Sequence, residues 1–280
     1  MFLFRKLSEL VRGPAAPPLR ADLQPRLPME AVHYAARNQP QTAPAAPYLQ
    51  RYSADTLRFA RDALEQDRTQ GACQAERFSG AGNIPAYWHV AYSAGLPFGE
   101  MAALIDEYLD QLAYFDGVFA GIWKPARRVL DVQYQLEDAL KGLAWLVGLG
   151  ATRQQLERFL PFCGEPGQDA LFDRAVVQLG FERPVAGRLL IESDYKQLLA
   201  VANAPTAERP RLAKLALERW TRVLAASGAP TQPGQVGYLG HWALPMALVV
   251  MLWEVDDVGL RAHPHYPSDP VAHYRGTTRR

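Results

Sequence analysis

The chain has 280 residues, of which 49% are apolar and 21% charged, and its formal net charge is +1. This length and apolar content allow a sizeable hydrophobic core, in one large helical domain or in two modest ones. The near-neutral balance argues against direct binding of nucleic acid or of an anionic membrane, because either would favour a basic surplus.

The first 52 residues differ from the rest of the chain. Residues 1–11 read MFLFRKLSELV, and their charges interrupt the apolar run that a secretory signal needs. Prolines then punctuate an Ala-rich stretch over residues 14–50, and each proline removes a backbone donor. We predict a short N-terminal helix followed by a Pro/Ala-rich arm. No apolar run approaches the ~18 residues of a membrane span, so we expect a cytoplasmic protein.

Residues 53–180 are predicted to form an N-terminal helical domain. Apolar side chains at helical spacing begin shortly after Ser53. Pro97 precedes a stripe of three- and four-residue spacing, which predicts a helix through Leu112. Thr152 is placed to cap the next short helix.

Residues 181–280 are predicted to form a C-terminal helical domain. Helices are expected over 189–202, 206–226 and 236–255, with prolines near the joints. Pro245 lies inside the most apolar of these segments and predicts a kink or break. Sustained period-two alternation is absent from the sequence. We therefore predict an all-α fold of antiparallel helix hairpins, either compact or stacked like a solenoid.

A run of carboxylates and tyrosines overlaps the Pro97 stripe and supplies the candidate partner-binding residues. Residues four apart share one face of a helix, as the first and third carboxylates do. This pattern is typical of an ordinary solvated face, of a surface that docks on a basic partner, or of a carboxylate pair acting as acid and base. The candidates are Asp106, Glu107, Tyr108, Asp110, Tyr114 and Asp116.

Histidines and aspartates near the C-terminus are the candidate metal ligands, since imidazole and carboxylate can together hold zinc. Their spacing is not that of a helical zinc site, and the intervening prolines favour a stiff loop whose side chains pack on neighbouring helices. The sequence also lacks phosphate-binding glycine loops and nucleophile motifs. We expect no metal, no cofactor and no catalytic residue. The residues concerned are His263, His265, His273, Asp256, Asp257 and Asp269.

The stretch from Val236 to Tyr274 resembles the C-terminal domain of the PoNi-like immunity proteins. It reads VGYLGHWALPMALVVMLWEVDDVGLRAHPHYPSDPVAHY, with an aromatic Gly-Trp opening, a buried helix, a D-D-x-x-L turn and an HP-Y-YP-D loop. The family has a Phe-Glu pair where this chain has Leu244 and Pro245, and more often a tyrosine at His265. The motif positions, which the resemblance implies are structural, are Tyr238, Gly240, Trp242, Asp256, Asp257, His263, Pro264, Tyr266, Pro267 and Asp269.

The resemblance implies a cytoplasmic, non-enzymatic immunity protein. Its partner would be a cognate DNase toxin of the PD-(D/E)xK type, delivered by contact-dependent secretion such as type VI secretion. A homodimer is left open. Two other functions also stay open: a helical adaptor or chaperone for a secreted effector, and a helical hydrolase that uses the carboxylates or histidines.

Overall fold

The computed structural model describes residues 83–93, 95–120, 133–220 and 240–278. All regular secondary structure in these ranges is helical, which confirms the predicted all-α class. The predicted N-terminal helix and Pro/Ala-rich arm, and the helix expected after Ser53, lie outside the described residues.

The first described helices differ from the prediction at Pro97. Pro97 has extended backbone angles and precedes a short helix, and a turn at 103–104 separates this helix from the next. Thr152 caps as predicted: its hydroxyl accepts from the Gln155 amide at 3.2 Å, and the Gln155 side chain accepts from the Thr152 amide at 2.9 Å. The helices are α1 Asn83–Ser93, α2 Phe98–Ala102, α3 Ile105–Ala120, α4 Gln133–Gly148 and α5 Arg153–Phe159, followed by a 3₁₀ turn Leu160–Phe162.

The C-terminal helices correct the prediction for Pro245. The apolar helix begins at Leu244, so Pro245 occupies its first turn, where a missing amide hydrogen costs no intrahelical bond. Of the two predicted effects, the kink is wrong, and the break corresponds to the start of the helix at Leu244. The helices are α6 Ala170–Gln178, α7 Glu192–Asn203, α8 Arg209–Glu218, α9 Leu244–Leu252 and α10 Ser268–Thr278.

Helix α9 lies at the centre of the described structure. All of its residues are buried, and it packs against α4, α6, α7 and α10. Helix α4 also contacts α1 and α10. A Cβ atom on Gly148 would lie 2.8 Å from Pro270, so the close approach of α4 and α10 requires glycine there.

One hydrophobic core serves both predicted domains. Buried side chains from Ile84 to Val271 form a single cluster, which is continuous across residue 180. The predicted domain limits themselves stay predictions. Among the described helices, none combines the length and the apolar character needed to cross a bilayer.

Candidate functional site

Asp106 and Asp110 lie side by side on α3 and share one cation, Arg158 of α5. Arg158 Nη1 lies 2.6 Å from an Asp106 carboxylate oxygen, and Nη2 lies 2.6 Å from one of Asp110. The two carboxylate side chains are 64% and 68% exposed. Exposed ion pairs of this kind contribute about 0–1 kcal/mol to stability. Because both carboxylates are mostly exposed, the pair is accessible to a second charged surface. We call Asp106, Glu107, Asp110 and Arg158 the acidic face.

The acidic face is placed by packing beneath it. Tyr108 points inward and meets Trp88 edge-to-face, with ring centroids 5.2 Å apart, and its ring centroid lies 6.1 Å from that of Phe159. A Cβ on Gly142 of α4 would lie 3.0 Å from Phe159 and 3.1 Å from the Tyr108 hydroxyl, so glycine lets α5 dock closely. Because Phe159 is anchored here, its neighbour Arg158 reaches the carboxylates.

Not every candidate partner-binding residue reaches this surface. Tyr108 is only 4% exposed, and burial raises the pKa of its hydroxyl well above the ordinary value. We withdraw Tyr108 from the candidate contact surface, because its ring belongs to the core. Glu107 is half-buried beside the pair. Tyr114 and Asp116 belong to α3, but their side chains lie outside the described part of the structure.

The Gly-x-Trp motif joins the C-terminal segment to α1. The Trp242 indole N–H donates to the Ser93 hydroxyl at 2.7 Å, which in turn donates to the His89 carbonyl at 3.0 Å. The Trp242 ring also meets Tyr92 edge-to-face at 4.8 Å. Gly240 has φ +98°, and a Cβ on it would lie 2.3 Å from the Ser93 hydroxyl oxygen. Any other residue at 240 would separate the two segments.

Asp257 of the acidic turn is a buried hub. Its carboxylate accepts hydrogen bonds from Arg261 at 2.9 Å, Arg275 at 2.7 Å and the Tyr266 hydroxyl at 3.0 Å. Burial alone would raise the pKa of Asp257, but these donors hold it below the ordinary value. Arg275 also donates to the Val255 carbonyl at 2.7 Å. The hub therefore ties the turn after α9 to the Tyr266 turn and to α10.

The other motif positions shape turns. The exposed Asp256 accepts from the Val258 amide at 3.1 Å, which closes an Asx turn. His263 Nδ1 accepts from the His265 amide at 3.2 Å. Pro264 is exposed, Pro267 is buried and Asp269 lies in the first turn of α10, whereas Tyr238 lies outside the described residues.

The histidines and aspartates considered as candidate metal ligands do not assemble as one cluster. His273 is bonded through Nδ1 to the Gly148 carbonyl at 2.9 Å and stacks on Phe98, while His263 and His265 lie together beside His241. Within the described ranges, no group of three His, Cys, Asp or Glu side chains is arranged to hold a metal ion.

Comparison with known families identifies the part of the chain that contains these motifs. Residues 167–269 match the model of the C-terminal domain of the PoNe immunity proteins (PoNi). This part of the chain is PoNi-like. The match confirms the resemblance noted from the sequence. Residues 167–269 are called the PoNi-like domain below.

The fold likeness extends beyond the PoNi-like domain. A crystal structure of protein PA2201 from Pseudomonas aeruginosa superposes with a TM-score of 0.60 at 20% sequence identity. The likeness covers 85% of this chain and 98% of that protein. It indicates a shared helical fold. A comparison with curated proteins found no match.

Two buried aspartates organise the start of the PoNi-like domain, and sequence reasoning did not single them out as structural anchors. Asp169 caps α6 by accepting from the Leu171 and Phe172 amides at 3.0 and 2.8 Å, and its other oxygen accepts from the Leu190 amide at 2.9 Å. Burial raises the pKa of Asp169. The capping position was readable from the sequence, but the bond to Leu190 was not.

Asp173, one turn later, holds the irregular segment 181–191 against α6. Its carboxylate pairs with the buried Arg183 at 2.5 Å and accepts from the Gly167 and Ala186 amides, each at 3.1 Å. The Arg183 guanidinium also lies 5.3 Å from the centre of the Phe172 ring. These contacts fix a segment that has no helix of its own.

Proposed function

We propose that this chain is an immunity protein that binds and neutralises a cognate secreted PoNe nuclease toxin in the cytoplasm of the cell that makes it, without catalytic activity of its own. The observation that carries the proposal is the match of residues 167–269 to the PoNi C-terminal model. The delivery of the toxin by a type VI system is part of the same proposal.

The internal bonding of the motif side chains supports a binding role. Trp242, Asp257 and Tyr266 are buried and use their polar atoms in hydrogen bonds within the chain. They act as supports for the domain, and the toxin would be contacted elsewhere on the surface.

We propose the acidic face as that contact. A nuclease that binds DNA needs a positively charged cleft. Asp106 and Asp110 are exposed on one face with a single shared arginine, and this leaves net negative charge facing solvent. Complementary charge speeds encounter with a basic partner. A preformed helical surface also keeps the ordering cost of association low.

The function is tested with the purified chain and the nuclease domain of a PoNe toxin encoded beside it. We expect a stoichiometric complex at micromolar concentration, and plasmid cleavage abolished at equal molarity. Rescue of cells by co-expression should follow. Binding without inhibition would instead favour a chaperone, and no complex would refute immunity against that toxin. Substrate turnover by the chain alone would contradict the non-enzymatic assignment.

The contact surface is tested separately by charge reversal. The double variant Asp106→Lys with Asp110→Lys should slow association at least about tenfold at low salt, because steering depends on local charge. The matched control reverses two exposed glutamates outside α3 and α5, Glu192→Lys at the start of α7 with Glu208→Lys just before α8, and should change the rate less than about twofold. Stopped-flow mixing with the nuclease domain measures both. Equal rates for the two double variants would remove the acidic face from consideration.

A variant of Arg158 should change the association rate in the opposite direction. Arg158→Gln removes the shared cation from the face, so association with a basic partner should become faster and its salt dependence steeper. A face that served only to hold α3 and α5 together would give no acceleration. Slower association in Arg158→Gln would show that the arginine itself contacts the toxin.

A further inference from the structure

Four imidazole rings lie in a row where the PoNi-like domain meets α1. His89 Nε2 lies 3.1 Å from the Gly240 carbonyl, next to His241. The His241 and His265 ring centroids are 5.9 Å apart, and those of His265 and His263 are 5.5 Å apart. We call His89, His241, His265 and His263 the histidine row.

Two rings of the row, those of His89 and His265, are shielded from water. His89 is 7% exposed and His265 is 5% exposed. The buried Nδ1 of His265 has no hydrogen-bond partner among the described residues. A proton placed on either ring would therefore be a charge removed from solvent, which is costly without a counter-ion.

The charged groups around the row oppose protonation of these two rings. Lys141 of α4 and His241 both disfavour a charge on His89, although the Gly240 carbonyl favours it. On His265, the neighbouring His263 and His241 disfavour a charge, while a hydrogen bond to the His241 backbone favours it. The carboxylate contributions lie at the edges of the row.

Two carboxylates are placed at those edges. Glu218, at the end of α8, favours a charge on His263. Glu137 pairs with Lys141 on α4. Among the described residues, neither carboxylate stabilises a charge on His89 or His265, so these two rings are the costly sites for a proton.

The row is attached to backbone that the fold depends on. The His265 carbonyl accepts from the Ala243 amide at 2.8 Å, and Ala243 is the residue that precedes α9. Gly240, bonded to His89, allows the Trp242–Ser93 contact. Movement of the His89 ring or the His265 ring would therefore loosen residues 240–243 from α1 and from the turn that carries His265.

We infer that the histidine row is an acid-operated lock: protonation of His265 or His89 releases residues 240–243 from α1 and from the 263–266 turn, while the helices farther from the row keep their structure. This inference is independent of the identity of the partner and of the acidic face.

The direction of the effect follows from linkage. Burial lowers the pKa of His265 to about 4 and that of His89 to about 3. In the released state, these rings regain the ordinary value of about 6.5. Release therefore takes up a proton below that value, and the released population should rise about tenfold per pH unit for each ring.

Hydrogen exchange of the Ala243 amide in the full chain reports the lock directly. Between pH 7 and pH 5 its protection factor, corrected for intrinsic exchange, should fall at least about tenfold. The Leu156 amide, bonded to the Thr152 carbonyl at 3.0 Å in α5, is the internal reference and should change less than about twofold. Equal changes at both amides would indicate global unfolding and overturn the lock.

Two histidine variants make the test specific. His265→Gln removes one of the two buried rings and should make the pH dependence at Ala243 shallower, with the contribution of His89 remaining. His273→Gln changes a half-buried histidine of α10 outside the row, and should leave that dependence as in the unmodified protein. The same slope in His265→Gln and the unmodified protein would refute the role of the row.

Direct titration of the unmodified protein keeps the inference testable if His265→Gln fails to fold. Nuclear magnetic resonance of ring-labelled histidine should show His265 neutral at pH 5 while the protein stays folded. A His265 ring that titrates near pH 6.5 in the folded protein, with Ala243 protection unchanged, would overturn it.

Discussion

Asp257 and the pair Asp106 and Asp110 differ in solvent exposure, and exposure decides what each carboxylate does. Asp257 is 3% exposed and receives bonds from two arginines and a tyrosine. Asp106 and Asp110 are mostly exposed and share one arginine. Asp257 uses its carboxylate to hold turns together, whereas Asp106 and Asp110 keep their negative charge facing solvent. The number of carboxylates in a segment therefore says little about function until their exposure is known.

Removing the buried carboxylate of Asp257 should have the largest effect on the free energy of unfolding. Asp257→Asn deprives Arg275 and Arg261 of their shared carboxylate and leaves the Tyr266 hydroxyl without its charged acceptor. Breaking a buried ion pair in this way costs about 3–5 kcal/mol of unfolding free energy. Urea unfolding followed by circular dichroism measures it. The neighbouring exposed Asp256→Asn is the matched control, and a similar loss in both variants would contradict the comparison.

The glycine of the Gly-x-Trp motif should have the next largest effect. Gly240→Ala places a Cβ against Ser93 and Trp242, in backbone with φ +98°, so we expect a loss of about 2–3 kcal/mol. Gly259→Ala is the control, since a Cβ there meets nothing within 4 Å. Thermal unfolding of the two variants under the same conditions separates them. A stable Gly240→Ala would mean that the junction with α1 tolerates displacement.

The exposed aspartates should have the smallest effect on stability. Asp106→Asn with Asp110→Asn removes both partners of Arg158, yet the unfolding free energy should change by less than about 1 kcal/mol. Urea unfolding again supplies the measurement. A loss above about 2 kcal/mol would place the acidic face with Asp257 among the structural carboxylates.

The sequence predicted those structural features that depend only on residues close together in the chain. The all-α class and the cap at Thr152 follow from spacing over a few residues. The position of Pro245 within its helix was predicted wrongly, because an apolar run in the sequence does not show at which residue the helix begins. A proline in the first turn of a helix and a proline in its interior can have the same apolar neighbours in the sequence. Tyr108 was assigned to the surface because acidic residues surround it in sequence, although its ring faces Trp88.

Long-range contacts account for most of what was missed. Arg158 lies 52 residues from Asp106, Ser93 lies 149 residues from Trp242, and His89 lies 151 residues from Gly240. Each partner is an ordinary residue on its own helix, and only packing brings it to the site. A periodicity pattern cannot pair such positions, because it records which face of a helix is apolar but not which helix covers it.

The late position of α9 in the chain has a consequence for synthesis of the protein. Helix α4 and the helices before it emerge from the ribosome long before Leu244, yet α9 is the central element that α4 packs against. Until Leu244–Leu252 is made, the apolar face of α4 lacks its main cover. Folding of the described body therefore cannot finish before α9 has emerged, and a nascent chain stopped near residue 240 should need chaperones or be removed by proteases.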